Sequence, residues 1–209
     1  MMNRHWRRAE VLRHWSFWMM APAVLGPSAF ITALFFQQVH LAGLKGWAHV
    51  ELVALIPIYT VLAIAANFLS GAALDRFGTT RLLPFVYLPL AAGFATMGLT
   101  SSYMSGAIAM ALIGVAQGGL HTLMAAFWAE LFGTKHLGAI KALGTALMVL
   151  GSAIGPALTG VLIDLGLSFE TQLALIGLYF LAISGLVGIA MRWARPLLPA
   201  AAEIDVIRP

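Results

Sequence analysis

The sequence predicts an all-α, polytopic membrane protein with six transmembrane helices and both termini in the cytoplasm. Of its 209 residues, 61% are hydrophobic and 10% are charged, whereas a soluble domain carries about 25% charged residues. Six apolar runs are each close to or above the roughly 20 residues that cross a bilayer. Basic residues also alternate between the two sides that these runs define. The three observations together predict a chain that is surrounded by lipid.

The basic residues indicate which side of the membrane each loop occupies. Eleven of the twelve Lys and Arg residues fall in segments that six helices would bring to one side. They are Arg4, Arg7, Arg8, Arg13, Arg76, Arg81, Lys135, Lys141, Arg192, Arg195 and Arg208. The loops on the other side hold only Lys45. Cytoplasmic loops of membrane proteins carry an excess of Lys and Arg, so we expect both termini to be cytoplasmic.

The predicted elements are a basic arm, six helices and a tail. The cytoplasmic arm covers 1–16, and its Trp6 and Trp15 suit the headgroup interface. The helices are predicted at about 17–39, 51–73, 82–99, 103–127, 138–165 and 171–193. Pro22 and Pro27 lie in the first helix, where membrane helices tolerate kinks. The tail at 194–209 is expected to be cytoplasmic and disordered.

Several kinds of chemistry are not expected. The chain has no cysteine, which excludes disulfides and thiolate metal sites. No metal-ligand cluster or phosphate-binding loop is evident, so no cofactor is predicted. An intramembrane serine protease would need a nucleophile in a glycine-flanked turn, and Ser101, Ser102 and Ser152 lack that context. The net charge of +4 is small, and nucleic acid is not an expected partner.

A short charged segment separates the second and third apolar runs. It reads Gly71-Ala-Ala-Leu-Asp75-Arg76-Phe-Gly78-Thr-Thr-Arg81. Charges are costly in hydrocarbon and should lie at its water edge. Gly71 permits close approach of another backbone, and Gly78 permits a turn with positive φ. Asp75 is suited to bind free amides at a nearby helix start.

The pattern G-x-x-x-D-R-x-G-x-x-R resembles the signature loop of the major facilitator superfamily, which joins the second and third helices of each six-helix half. It departs from that loop at Ala73, where Leu is more frequent, and at Thr79 and Thr80, where basic residues are frequent. The segments 128–138 (WAELFGTKHLG) and 151–160 (GSAIGPALTG) also resemble this superfamily. The whole chain is similar to a C-terminal half, most of all in bacterial members thought to move small organic anions such as monocarboxylates.

The resemblance implies half of a major facilitator fold, with its six helices arranged as a 3+3 inverted repeat. Two such halves rock about a central site, in this case in a bacterial inner membrane. The expected partners are therefore the bilayer, a small solute and a second six-helix half. That half would be a separate chain or a second copy, unless the gene is truncated. In an isolated chain Asp75 would lack the helix of the other half on which the signature loop docks.

The resemblance also implies that the first, second, fourth and fifth helices line the cavity, and that the third and sixth lie outside. Gln117 and His121 share one face of the fourth helix near mid-membrane. His121 is a candidate for proton coupling, because an imidazole gains and loses a proton near neutral pH. A hydrogen bond to a neighbouring helix is the alternative. The candidate solute-binding residues are His121, Gln117, Thr32, Gln37 and Asn67.

Two of these candidates have a specific alternative. Gln37 is equally suited to the water edge of the first helix. Asn67 is suited either to a gate contact or to an interhelical hydrogen bond. A second set of residues is predicted to act in gating or conformational change. It consists of Gly71, Asp75, Arg76, Gly78, Arg81, Glu130, Lys135, Gly155 and Pro156.

Within the gating set, Glu130 and Lys135 are expected to form a gate or a structural charge pair at the cytoplasmic edge. The stripe Gly144, Gly151 and Gly155 favours close helix packing, and with Pro156 it also suits a bend in the fifth helix. The predicted function is a non-enzymatic secondary transporter, or its C-terminal half, which moves a small solute by alternating access. The alternative is a non-transporting membrane module or truncated fragment that is inactive without a second half.

Overall fold

The structure, a computed structural model, describes residues 6–194. Within that range the chain forms only helices and connecting turns, which confirms the all-α prediction. The ten helices are α1 (Arg8–Arg13), α2 (Trp15–Phe36), α3 (Gln38–Lys45), α4 (His49–Val53), α5 (Ile56–Phe77), α6 (Thr79–Phe85), α7 (Tyr87–Leu99), α8 (Tyr103–Phe132), α9 (Leu137–Asp164) and α10 (Phe169–Ala194).

Six of the described segments are long and apolar enough to cross a membrane, as predicted. We call them spans one to six, and they cover Trp15–Phe36, His49–Phe77, Thr79–Leu99, Tyr103–Phe132, Leu137–Asp164 and Phe169–Ala194. Span two combines α4 and α5, and span three combines α6 and α7. The other four spans are α2, α8, α9 and α10.

The helix ends differ from the predicted ones at the charged segment. The predicted boundaries left 74–81 as a loop, but α5 continues to Phe77 and α6 begins at Thr79. Gly78 alone is non-helical, with φ +75°, a conformation that a residue without Cβ adopts readily. A helix keeps its backbone hydrogen bonds where it continues past the edge of the hydrocarbon into water. The charged residues of this segment therefore lie on the ends of two helices rather than in a loop.

Other boundaries also differ from the predicted ones. Span one ends at Phe36 rather than 39, and α3 follows it. Span four continues to Phe132 rather than 127. The predicted arm contains α1 and the first two residues of α2. Of the predicted tail, 195–209 lies outside the described residues.

The spans pack in three pairs: one with five, two with four, and three with six. Each pair contains glycines against the partner's backbone. Gly155 faces Ala29, Gly118 faces Ala63, and Gly177 faces Ala91. Small residues let membrane helices approach closely. Exchanging spans one, two and three with spans four, five and six gives the same three pairs. A 3+3 repeat requires this symmetry.

Burial is uneven among the spans. In the most apolar stretch of each span, 50% of the residues are buried in spans one and four, but only 17% in spans two and five. Spans three and six are intermediate at 39%. Phe94 and Phe180, from the latter pair, lie in the fully buried core. Spans two and five therefore present the most uncovered surface.

The two ends of the bundle differ in charge. We call the end where span one begins and span six ends the basic end. At the opposite end, the Lys45 side chain is fully buried and its Nζ lies 2.7 Å from Glu170 Oε1. Lys45 Nζ also donates to the Thr100 carbonyl at 2.6 Å. The lone Lys of the opposite end is thus neutralised inside the protein.

Candidate functional site

A cleft with a partly polar lining lies between α2, α8 and α9. Its volume is about 300 Å³. Apolar side chains from all three helices form much of its wall. Its polar and charged lining residues are Ser28, Thr32, Gln117, His121, Lys141 and Thr145. The cleft is therefore lined by spans one, four and five. Span two, which was expected to contribute, does not reach it.

Gln117 and His121 form a pair on α8, as their spacing of four residues predicts. The amide nitrogen of Gln117 lies 3.1 Å from His121 Nε2. An amide N–H can only donate, so in this geometry Nε2 accepts, as a neutral imidazole does. His121 is exposed to the cleft and Gln117 is half-buried. The predicted pair therefore lies inside the cleft.

Lys141 is a lining residue that sequence analysis missed. It was counted only among the basic residues of the cytoplasmic side, at the start of the predicted fifth helix, but in the second turn of α9 it faces the cleft. Its spacing from Gly144, Thr145 and Met148 was the available signal, because these residues share one helix face. Within the described residues Lys141 forms no hydrogen bond or ion pair. The lining contains no Asp or Glu, so Lys141 supplies uncompensated positive charge.

Trp128 forms the wall of the cleft nearest the end of α8. Its indole atoms would lie 3.4 Å from a Cβ added at Gly144, so these helices touch at that point. The Trp128 ring stacks on Phe132 with centroids 5.9 Å apart and planes at 21°. The indole therefore packs beside Gly144, and its stacking on Phe132 fixes its position.

The remaining predicted solute-binding residues divide between the cleft and other places. Thr32 lines the cleft. Gln37 is the residue at the end of α2 and lies outside the cleft. Asn67 donates to the Gly118 carbonyl at 3.4 Å and so joins α5 to α8. Of the two interpretations of Asn67, the interhelical hydrogen bond is the one observed.

Comparison with protein families identifies the chain. The family model of the Major Facilitator Superfamily matches residues 18–205. The chain belongs to the major facilitator superfamily. No curated protein matches it. Members of this superfamily are transporters rather than enzymes, so the family and the six spans together indicate a membrane protein of transporter type.

The charged segment 71–81 resembles the signature loop of the superfamily and exposes its charged side chains. Asp75, Arg76 and Arg81 are exposed. Asp75 does not cap α6, contrary to expectation, because Gly78 at that position has no side-chain cap. A Cβ added at Gly71 would meet nothing within 4 Å. The three charged side chains of the segment therefore face outward, whereas Thr79 of the same segment is buried.

The expected ion pair between Glu130 and Lys135 is not formed. Glu130 Oε1 instead accepts from the Thr79 hydroxyl at 2.7 Å. This bond ties the end of α8 to the start of α6, because Thr79 is the first residue after the Gly78 turn. Lys135 is exposed in the link between α8 and α9. Glu130 thus supports the signature segment of the superfamily.

Gly155 and Pro156 lie inside α9, which continues without a break from 137 to 164. Gly151 and Gly155 contact the backbone of α2, at Leu25 and Ala29. Gly151 and Gly155 therefore serve close packing of α9 against α2, as one of the two interpretations of this stripe predicted. In the described residues no group of three or more His, Asp, Glu or Cys converges on a possible metal position.

Proposed function

We propose that this chain is one six-helix unit of a secondary transporter that moves a small anionic solute by alternating access. The observation that carries the proposal is the lining of the cleft. Lys141 and His121 face it together with neutral hydrogen-bonding groups, and no carboxylate is present in the lining. A carboxylate or similar anion would satisfy Lys141, whereas a cation would meet repulsion.

The lining also matches the size and polarity of a small organic anion. Lys141 offers three donors without an acceptor, which suits an oxyanion. Thr32 and Thr145 offer hydroxyls to further oxygens, and Trp128 and Met148 offer apolar contact to a short carbon chain. Solute sites commonly combine an apolar wall with a few polar groups that fix orientation. A monocarboxylate has both parts.

His121 is the proposed site of proton coupling. Its Nε2 is bonded to Gln117 in the neutral form, and rotation of the Gln117 amide would present an oxygen to a protonated imidazole. Protonation would add a second positive charge to the cleft beside Lys141. Because anion binding and protonation would then favour each other, a proton and an anion would move together.

Alternating access requires a second six-helix unit. Spans two and five have the most uncovered surface, and Asp75 and Gly71 face away from the described chain. A second unit, either another chain or a second copy, would cover these surfaces and close the open side of the cleft. The charge asymmetry supports a bacterial inner membrane location with the basic end cytoplasmic.

The proposal is tested by uptake of radiolabelled small carboxylates into proteoliposomes that hold the purified chain at high density. Saturable uptake that a carboxylate inside the vesicle accelerates, and that His121→Ala reduces, would support transport. Ser70→Ala, outside the cleft, is the matched control and should leave uptake unchanged. Carboxylate binding without uptake would support the alternative, a unit that is inactive without a distinct second half. If the protein shows no carboxylate binding and no uptake, both the transport proposal and its alternative are contradicted.

A further inference from the structure

A second polar feature lies at the basic end of the bundle, and none of its residues lines the cleft. It is formed by α1, the start of α2 and the end of α10. We call it the arm surface. Its members are Arg8, Arg13, Trp15, Trp18, Arg192 and Trp193.

The tryptophans of the arm surface are exposed although they belong to spanning helices. Trp18 and Trp193 are 60% and 62% exposed, and Trp15 is 36% exposed. Trp15 and Trp193 meet edge to face with ring centroids 5.8 Å apart. This contact joins the start of span one to the end of span six. Exposed indoles at helix ends are typical of the level of the lipid headgroups.

The arm is fixed against the bundle rather than extended into solvent. Val11 of α1 is completely buried, and the Trp6 amide donates to the Phe132 carbonyl at 3.1 Å. The Trp18 indole N–H donates to the Leu12 carbonyl at 2.8 Å. That bond leaves the indole ring itself facing outward. The end of α1, which carries Arg13, is therefore held against the start of α2.

The arm surface carries uncompensated positive charge. Arg8, Arg13 and Arg192 are exposed, and within the described residues none of them is paired with a carboxylate. Glu10, the acid of α1, accepts from the backbone amide of Arg7 at 2.7 Å. Each Lys or Arg held near an anionic leaflet raises binding by about fivefold.

We propose that the arm surface binds the headgroup of an anionic glycerophospholipid. The arginines contact its phosphate, and the indoles of Trp15, Trp18 and Trp193 pack against its glycerol and upper acyl region. The occupant is a lipid rather than a soluble acidic partner because all three indoles lie at the ends of spanning helices, a position typical of the headgroup level. This inference does not depend on the identity of the transported solute.

The test is native mass spectrometry of the protein from nanodiscs that contain equal amounts of phosphatidylglycerol and phosphatidylcholine. We expect preferential retention of phosphatidylglycerol by the wild-type protein. The triple variant Arg8→Gln, Arg13→Gln, Arg192→Gln should reduce that preference at least tenfold. The control variant Arg76→Gln, Arg81→Gln, Lys135→Gln removes the same charge from the same end without touching the tryptophans, and should keep the preference.

Two outcomes would overturn the proposal. One is an equal retention of both lipids by the wild-type protein. The other is an equal loss of preference in the two triple variants, because the effect would then follow net charge rather than this surface. Circular dichroism and size-exclusion profiles that match the wild type establish that each variant is folded. If the arm-surface triple variant does not fold, the single variant Arg192→Gln, with Arg81→Gln as its control, gives the same comparison with about a fivefold effect.

Discussion

Two regions of the molecule each contain a lysine on a helix, and the surroundings of the two lysines differ. At the opposite end of the bundle, Lys45 is fully buried and contacts both Glu170 and the Thr100 carbonyl. In the cleft, Lys141 is exposed and has no partner within the described residues. A buried charge must be paired to be tolerated, so Lys45 has a structural role. An unpaired charge in a cleft is available to a ligand.

Two cavities of similar size give a related lesson. A groove between spans two, three and four has a volume of about 320 Å³, compared with about 300 Å³ for the cleft. The groove is lined by Leu, Ala, Val, Pro and Gly residues and by Ser70, which supplies one hydroxyl. Acyl chains can fill such a groove without any lost hydrogen bond. Polarity of the lining, rather than volume, therefore distinguishes the solute cleft.

The largest expected effect is on stability at Lys45. Glu170→Ala leaves a buried ammonium with one carbonyl partner, and we expect a loss of about 3 kcal/mol in the free energy of unfolding in detergent micelles. Lys45→Met leaves Glu170, whose side chain is 32% exposed, so water can solvate the carboxylate and the loss should be smaller. If Lys45→Met lost more stability than Glu170→Ala, the buried ammonium of Lys45 would not be the group that needs its partner.

The next largest effect is on anion affinity at Lys141. Lys141→Gln removes a charged hydrogen-bond donor of about 1.5–3 kcal/mol, so the Kd for a small carboxylate should rise about 10- to 100-fold. The free energy of unfolding should change by less than about 0.5 kcal/mol. Isothermal titration and thermal unfolding check the two halves of this prediction. If Lys141→Gln lowers the free energy of unfolding but leaves the carboxylate Kd unchanged, Lys141 has a structural role like that of Lys45.

A smaller effect is expected for the coupling between Gln117 and His121. A double-mutant cycle of Gln117→Leu and His121→Ala should give a coupling free energy of about 1 kcal/mol for carboxylate binding, because the two side chains share a hydrogen bond. Gln117→Leu with Thr122→Val is the control cycle, since the Thr122 hydroxyl bonds the Asn67 carbonyl outside the cleft. Equal coupling in both cycles would contradict a specific pair.

The smallest effect separates two hydroxyls on α2. Thr32→Val should raise the carboxylate Kd about three- to tenfold, because Thr32 lines the cleft and its hydroxyl is available. Ser28→Ala should have little effect on Kd, since the Ser28 hydroxyl already donates to the Met148 carbonyl at 2.6 Å. Titration of both variants with the same carboxylate checks the difference. A larger effect at Ser28 would mean that this interhelical bond opens when solute binds.

The fold was largely predictable from the sequence because apolar runs of sufficient length must cross the bilayer. Helix ends were less predictable, since hydropathy marks the edge of hydrocarbon and a helix can continue past it. The segment 74–81 was expected to be a loop for that reason, although only Gly78 leaves the helical conformation.

The candidate site was predictable in part: Thr32 on α2 and the Gln117–His121 pair on α8 were predicted and line the cleft. Gln117 and His121 are one turn apart, so their common face followed from spacing alone. Lys141 lay inside the predicted fifth helix but was interpreted only as a cytoplasmic charge, because its position in the cleft depends on how α9 packs against α2. The pairs Lys45–Glu170 and Thr79–Glu130 join residues far apart in sequence, for which no local pattern exists.

The most direct measurement is the fluorescence of Trp128 during titration with size-matched solutes of different charge. Trp128 lines the cleft, and a Trp128→Phe variant gives the background of the other tryptophans. We predict that a small carboxylate changes the Trp128 signal saturably, that a matched amine and a matched neutral solute do not, and that Lys141→Gln abolishes the change. A response to the amine, or a carboxylate response that persists in Lys141→Gln, would contradict an anion site in this cleft.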